Sequence, residues 1–66
     1  MRARINGEFR EFQEPMSVAA LLDVLGTPHS GIAVARNDKV IPGSDLSSEV
    51  VADGDTIEII RAVAGG

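Results

Sequence analysis

Only one stretch of this 66-residue chain spaces its apolar residues for a helix: Val18, Leu21, Leu22 and Leu25, at i, i+3, i+4 and i+7. Ser17 before it is a natural N-cap, Gly26 after it a left-handed stop, and Pro28 forbids continuation. A helix of about two turns does not persist alone in water, so its stripe must pack on something. Most of the remaining apolar residues alternate with period two. The chain is therefore committed to one short helix laid across a sheet.

The sheet can be traced strand by strand. Met1-Arg2-Ala3-Arg4-Ile5 alternates as a half-buried strand does, and Asn6-Gly7 is the strongest short signal for a type I′ hairpin turn. A second strand follows from Phe9 to Gln13. There Phe9 and Phe12 fall on opposite faces, so either a bulge intervenes or one ring lies at the surface. Ile32 to Arg36 reads as a third strand, Asn37-Asp38 as a turn, and Lys39-Val40-Ile41 as a short fourth strand. Pro42-Gly43 breaks it, which leaves Ser44 to Glu49 as an irregular or single-turn segment. Asp53-Gly54-Asp55 turns into the best strand of the chain, Thr56 to Arg61. That last strand has its plausible place beside the first and parallel to it, because the helix supplies the long crossover a parallel pair needs. The expected fold is α+β, a β-grasp with a mixed four- to five-stranded sheet and one helix packed across one face. Residues 1–66 form a single domain in this reading, with a flexible Gly-Gly tail at 62–66.

Composition narrows the chemistry. A chain this short buries only about 60% of its unfolded surface, which leaves little room for both a core and an enclosed catalytic pocket. A stand-alone enzyme is not expected. There is no cysteine, so disulfides and thiolate metal ligands are excluded. The net charge of −4 argues against nucleic acid, whose phosphates are bound by Lys and Arg. No apolar run approaches the roughly 20 residues of a membrane span, and no signal-peptide pattern opens the chain, so cytoplasmic residence is expected. His29 stands alone beside Pro28 and reads as a solvated loop residue, and no metal site is expected. Asp53 and Asp55 lack the spacing of a calcium loop and read as turn formers. Ser44, Ser47 and Ser48 have no nucleophile-elbow context.

The informative segment is Ala62-Val63-Ala64-Gly65-Gly66. A regular strand runs straight into small residues that finish in Gly-Gly, without a Cβ on the last two. Such a tail can thread a narrow channel in another protein, with Ala64 and Gly65 inside it, and deliver the unhindered carboxylate of Gly66 as the reacting group. If Ile57 and Ile59 face the helix, Ile60 faces outward. Near Ala33 or Ala35 it would make a flat apolar patch, and Ile60, Ala62 and Val63 become candidate partner contacts.

The sequence resembles the ubiquitin-like sulfur carriers, and among them the thiamine-pathway (ThiS) family, over essentially its whole length. The resemblance is carried by Ile5-Asn6-Gly7-Glu8, Ser17-Val18-Ala19-Ala20-Leu21-Leu22 and Ile32-Ala33-Val34-Ala35-Arg36-Asn37. It continues through Val40-Ile41-Pro42, Asp53-Gly54-Asp55-Thr56-Ile57-Glu58-Ile59 and Val63-Ala64-Gly65-Gly66. It implies that a ThiF-like adenylating enzyme uses ATP and magnesium to activate the Gly66 carboxylate. A sulfur donor protein then converts it to a thiocarboxylate, and thiazole synthase (ThiG) receives the sulfur for the thiazole of thiamine. The carrier itself, expected as a monomer, binds no cofactor. The same chemistry could serve molybdopterin, tRNA thiolation, cysteine synthesis or protein modification in the manner of ubiquitin. A non-covalent β-grasp binding module is the other class. Leu46 stands where many relatives carry tryptophan, a departure that touches packing or the partner surface.

Overall fold

The computed structural model describes residues 1–61. Its main sheet has five strands: β1 (Arg2–Ile5), β2 (Glu8–Glu11), β4 (Ile32–Arg36), β5 (Lys39–Ile41) and β7 (Thr56–Arg61). They lie in the order β2-β1-β7-β4-β5. The last strand occupies the centre, parallel to β1 (Arg4 beside Thr56, Ile5 beside Ile57) and antiparallel to β4. The single helix α1 (Val18–Leu25) provides the crossover. The β-grasp arrangement expected from the pattern is the one found.

The helix begins and ends where its sequence directs. The Ser17 hydroxyl accepts from the Ala20 N–H at 3.0 Å, and Gly26 takes the left-handed conformation at φ 70°. Val18, Leu21 and Leu22 are fully buried against Ala3, Ile5, Val34 and Ile57 of the sheet. Full burial of each such leucine contributes about 2 kcal/mol, which a helix of eight residues needs to exist at all.

A second, two-stranded ladder was not legible in the sequence. Here β3 (Met16–Ser17) pairs antiparallel with β6 (Val50–Val51). Between β5 and β6 a single 3₁₀ turn at Gly43–Asp45 leads into a segment that serves the helix. The N–H groups of Val18 and Ala19 have no partner inside the helix. They donate instead to the carbonyls of Glu49 and Leu46, both at 2.8 Å. Leu46 is itself buried, so the residue that departs from the family pattern is part of the core.

The second strand stops earlier than its sequence suggests. Although β2 ends at Glu11, the backbone of Phe12 still pairs with Met1, and the alternation carries its ring to the core side while Phe9 stays exposed on the open face. The ring of Phe9 is covered by the guanidinium of Arg2, 4.3 Å from its centroid, with that of Arg4 at 5.4 Å. The surface alternative for one ring is the correct one, with no bulge required.

Asp55 does more than form a turn. Its carboxylate is almost fully buried and accepts from the Ala52 N–H (2.8 Å), Asn37 Nδ2 (3.0 Å) and Arg36 Nε (2.8 Å). Arg36 also reaches Glu49 at 3.0 Å. This ties the β4–β5 turn, where Asn37 and Asp38 both take positive φ, to the turn that starts β7. Burial alone would push the Asp55 carboxyl up, but the hydrogen bonds from Ala52, Asn37 and Arg36, with the Arg36 charge, hold it below the usual carboxylate range. A depressed folded value supplies stability that is complete above the ordinary carboxylate range and is lost as pH falls through the depressed value. Asp55→Ala is expected to cost about 2–4 kcal/mol at neutral pH, because it leaves buried donors unpaired. Urea unfolding should show the gap between wild type and Asp55→Asn narrowing once the pH is below about 4. A gap that does not change with pH would refute the ionic role.

Candidate surface and tail root

β7 leads to the C-terminal segment, so what holds β7 positions whatever follows it. β1 ends at Ile5, and beyond that point the Asn6 side chain takes over the role of a neighbouring strand. Asn6 Oδ1 accepts from the Ile59 N–H at 2.8 Å, and Asn6 Nδ2 donates to the Ile59 carbonyl at 3.3 Å. Asn6 (φ 50°) and Gly7 (φ 86°) are the two central residues of the type I′ turn that the sequence announced. Asn37 acts in the same way at the start of β7, where its Oδ1 accepts from the Thr56 N–H at 2.9 Å. Two turn asparagines therefore fasten the central strand near both its ends. Sequence reading placed both residues in turns but missed the clamps, because their partners lie far away in the chain.

The face of the sheet away from the helix is open. Ile57 is buried and Ile60 is 64% exposed, as the alternation required. Ile60 stands directly across from Ala33 on β4. The next row runs Glu58, Ala35, Val40, and Val40 is 74% exposed. Ile60 and Val40, set off by two alanines, thus make the flat apolar patch at the tail end of the sheet. Arg2, Arg4 and Phe9 occupy the same face on the far side of β7. Val40 is an addition to the contacts expected from the sequence. The alternation around buried Ile41 could have revealed it.

Of the residues singled out beforehand, Ile60 is where it was expected. Ala62, Val63, Ala64, Gly65 and Gly66 lie outside the described residues. His29 faces solvent near the helix C-terminus, with its Nε2 2.8 Å from the Asp23 carboxylate. No helix among the described residues is long and apolar enough to cross a membrane.

This arrangement can be set beside known proteins. The model of the ThiS family matches residues 3–66. The chain belongs to the ThiS family. A thiazole synthase of Paramagnetospirillum magneticum is 42% identical over the whole chain, which spans 20% of that much longer protein. The sulfur carrier protein ThiS of Escherichia coli is 29% identical, with both chains covered completely. The crystal structure of a thiamine biosynthesis protein (ThiS) from Geobacter metallireducens matches with a TM-score of 0.88 at 26% identity, again covering both chains completely. Family model and fold agree on a ThiS-family β-grasp domain.

In this ThiS-family chain the Asn6 clamp can be tested apart from any partner. Asn6→Gly keeps a residue suited to positive φ but removes both bonds to Ile59. The loss should be about 1–1.5 kcal/mol, read as roughly tenfold faster hydrogen exchange at the Ile59 amide. Unchanged exchange there would mean that β4 alone holds the strand.

Proposed function

We propose that this protein carries sulfur for the thiazole moiety of thiamine as a thiocarboxylate on Gly66. The observation that carries the reading is that one sequence pattern occurs in two settings. The whole chain matches a ThiS of equal extent and also a stretch of a thiazole synthase. A thiazole synthase that contains a carrier-like segment supports a ThiG-type enzyme as the acceptor of the sulfur.

The chemistry needs little from the carrier. A carboxylate is a poor acyl donor, so a ThiF-like enzyme with ATP and magnesium would join the Gly66 carboxylate to the α-phosphate and release pyrophosphate. Hydrosulfide released by a donor protein would then attack the carbonyl carbon, AMP would leave with the C–O bond's electrons, and loss of the sulfur's proton would give the thiocarboxylate. In this scheme the carrier is a co-substrate and supplies neither acid, base nor nucleophile. What it supplies is a fixed root for the tail, β7 fastened by Asn6 and Asn37, from which Ala64 and Gly65 would enter the partner's channel. The exposed Ile60 and Val40 give that partner an apolar surface to rest on, and Ala62 and Val63 would be further contacts.

Intact-mass spectrometry after incubation with a ThiF-like enzyme, magnesium-ATP and a sulfur source should show one oxygen of Gly66 exchanged for sulfur. Deletion of Gly66 should abolish the change. Gly65→Ala and Gly66→Ala should keep the fold while impairing adenylation, because a Cβ clashes in an enclosing channel; full-rate adenylation of both would count against it. An unmodified wild-type mass with a demonstrably active enzyme would sink the carrier reading. Ile60→Asp is expected to change stability by about 0.5 kcal/mol or less, since the residue is exposed. Its affinity for the adenylating enzyme should fall about tenfold or more, as for a central apolar contact. Unfolding of this variant would instead mark Ile60 as core.

A further inference from the structure

Asn6 is tied to β7 by its backbone as well as by its side chain. Its N–H donates to the Ile57 carbonyl at 2.9 Å, while Oδ1 and Nδ2 hold Ile59 at 2.8 and 3.3 Å. Gly7 follows it at φ 86°; both residues are exposed, and a Cβ at Gly7 would meet nothing within 4 Å. Asparagine is thermolabile because the backbone nitrogen of the next residue can attack its side-chain amide. Glycine leaves that nitrogen unshielded, and the open space around it admits the base that must take its proton. What restrains the pair is the clamp. Cγ of Asn6 cannot turn towards the Gly7 nitrogen while the oxygen and nitrogen it carries are both bonded to Ile59.

We propose that Asn6 is a site of spontaneous covalent modification, deamidation through a succinimide, and that opening of its clamp on Ile59 gates the reaction. The Gly7 nitrogen gives its proton to hydroxide or a buffer base and attacks Cγ of Asn6. A C–N bond forms, the Cγ–Nδ2 bond breaks, and Nδ2 leaves as ammonia after taking up a proton. Water then opens the succinimide by breaking the bond from the Gly7 nitrogen to one of the ring carbonyls. Attack at Cγ gives aspartate; attack at the main-chain carbonyl gives isoaspartate, whose backbone runs through Cγ. Water is consumed and ammonia released, with no change of oxidation state. Either product weakens the hold on β7. Aspartate still accepts from the Ile59 N–H but has no donor for the Ile59 carbonyl, towards which it turns a second carboxylate oxygen. Isoaspartate lengthens the backbone inside the type I′ turn that sets Ile5 opposite Glu8. The site stands whether or not the chain carries sulfur.

The test incubates the full chain at mildly alkaline pH, in native buffer and in unfolding urea, and follows Asn6 by mass spectrometry of its peptide. Asn37 is the internal reference, because the side chain of Asp38 shields the nitrogen that would attack it. In urea Asn6 should convert, ahead of Asn37. In native buffer its conversion should be slower by about tenfold or more. That slowdown should match, in order of magnitude, the protection of the Ile59 amide against hydrogen exchange, since exchange there breaks the same bond. Asn6→Asp, which reproduces one product, should exchange faster at Ile59 than wild type, with circular dichroism confirming that it is folded. Failure of Asn6 to convert in urea overturns the site. Conversion as fast in native buffer as in urea, or a slowdown far from the Ile59 protection, overturns the gate. Wild-type exchange at Ile59 in Asn6→Asp overturns the loosening of β7 by that product.

Discussion

The insertion of β7 between β1 and β4 is the constraint on which the rest of the molecule depends. Without it the β1–β2 and β4–β5 hairpins are separate pieces, and α1 has no continuous surface to cover. With it, Ile57 comes under Leu21 and Leu22, and a core of ten buried apolar residues closes. Parallel pairing with β1 involves only a short stretch of strand. The side chains of Asn6 and Asn37 supplement that ladder with bonds to Ile59 and Thr56, and Asp55 joins the turn before β7 to the turn after β4. A small domain without disulfides has to secure its central strand by such means.

Much of this was legible in the sequence because it follows from local rules. Helix limits came from Ser17 and Gly26, hairpins from Asn6-Gly7 and Asn37-Asp38, and the facing of Ile60 from alternation within one strand. The features that escaped are those in which a residue acts on a distant part of the chain. Nothing near Arg36 or Asp55 shows that they meet, and nothing in Glu49 or Leu46 shows that their carbonyls cap the helix. The short β3–β6 ladder escaped for the same reason, since two residues carry no period. Alternation placed Phe9 and Phe12 on opposite faces, but which of the two turns inward depends on the register of β2 against β1, which sets Phe9 beside Arg4 on the open face.

The surface was legible to the same degree. Ile60 was recoverable from its strand. Its relation to Val40 depends on the register of three strands, as does a groove on the helix side, whose lining comes from β1, β2, α1, β4 and β7. A surface built from so many elements is specific to the folded state.

The chain's order of elements has a kinetic side. The Asn6–Ile59 contact joins residues 53 positions apart, so the sheet closes through contacts of very long sequence range for so short a chain. Such contacts come late, after the loop-closure entropy has been overcome. β7 comes after every other described element in chain order. Neither the patch around Ile60 nor the groove around Ile59 exists before β7 is in place. Whatever binds the face around Ile60 therefore meets only the finished fold.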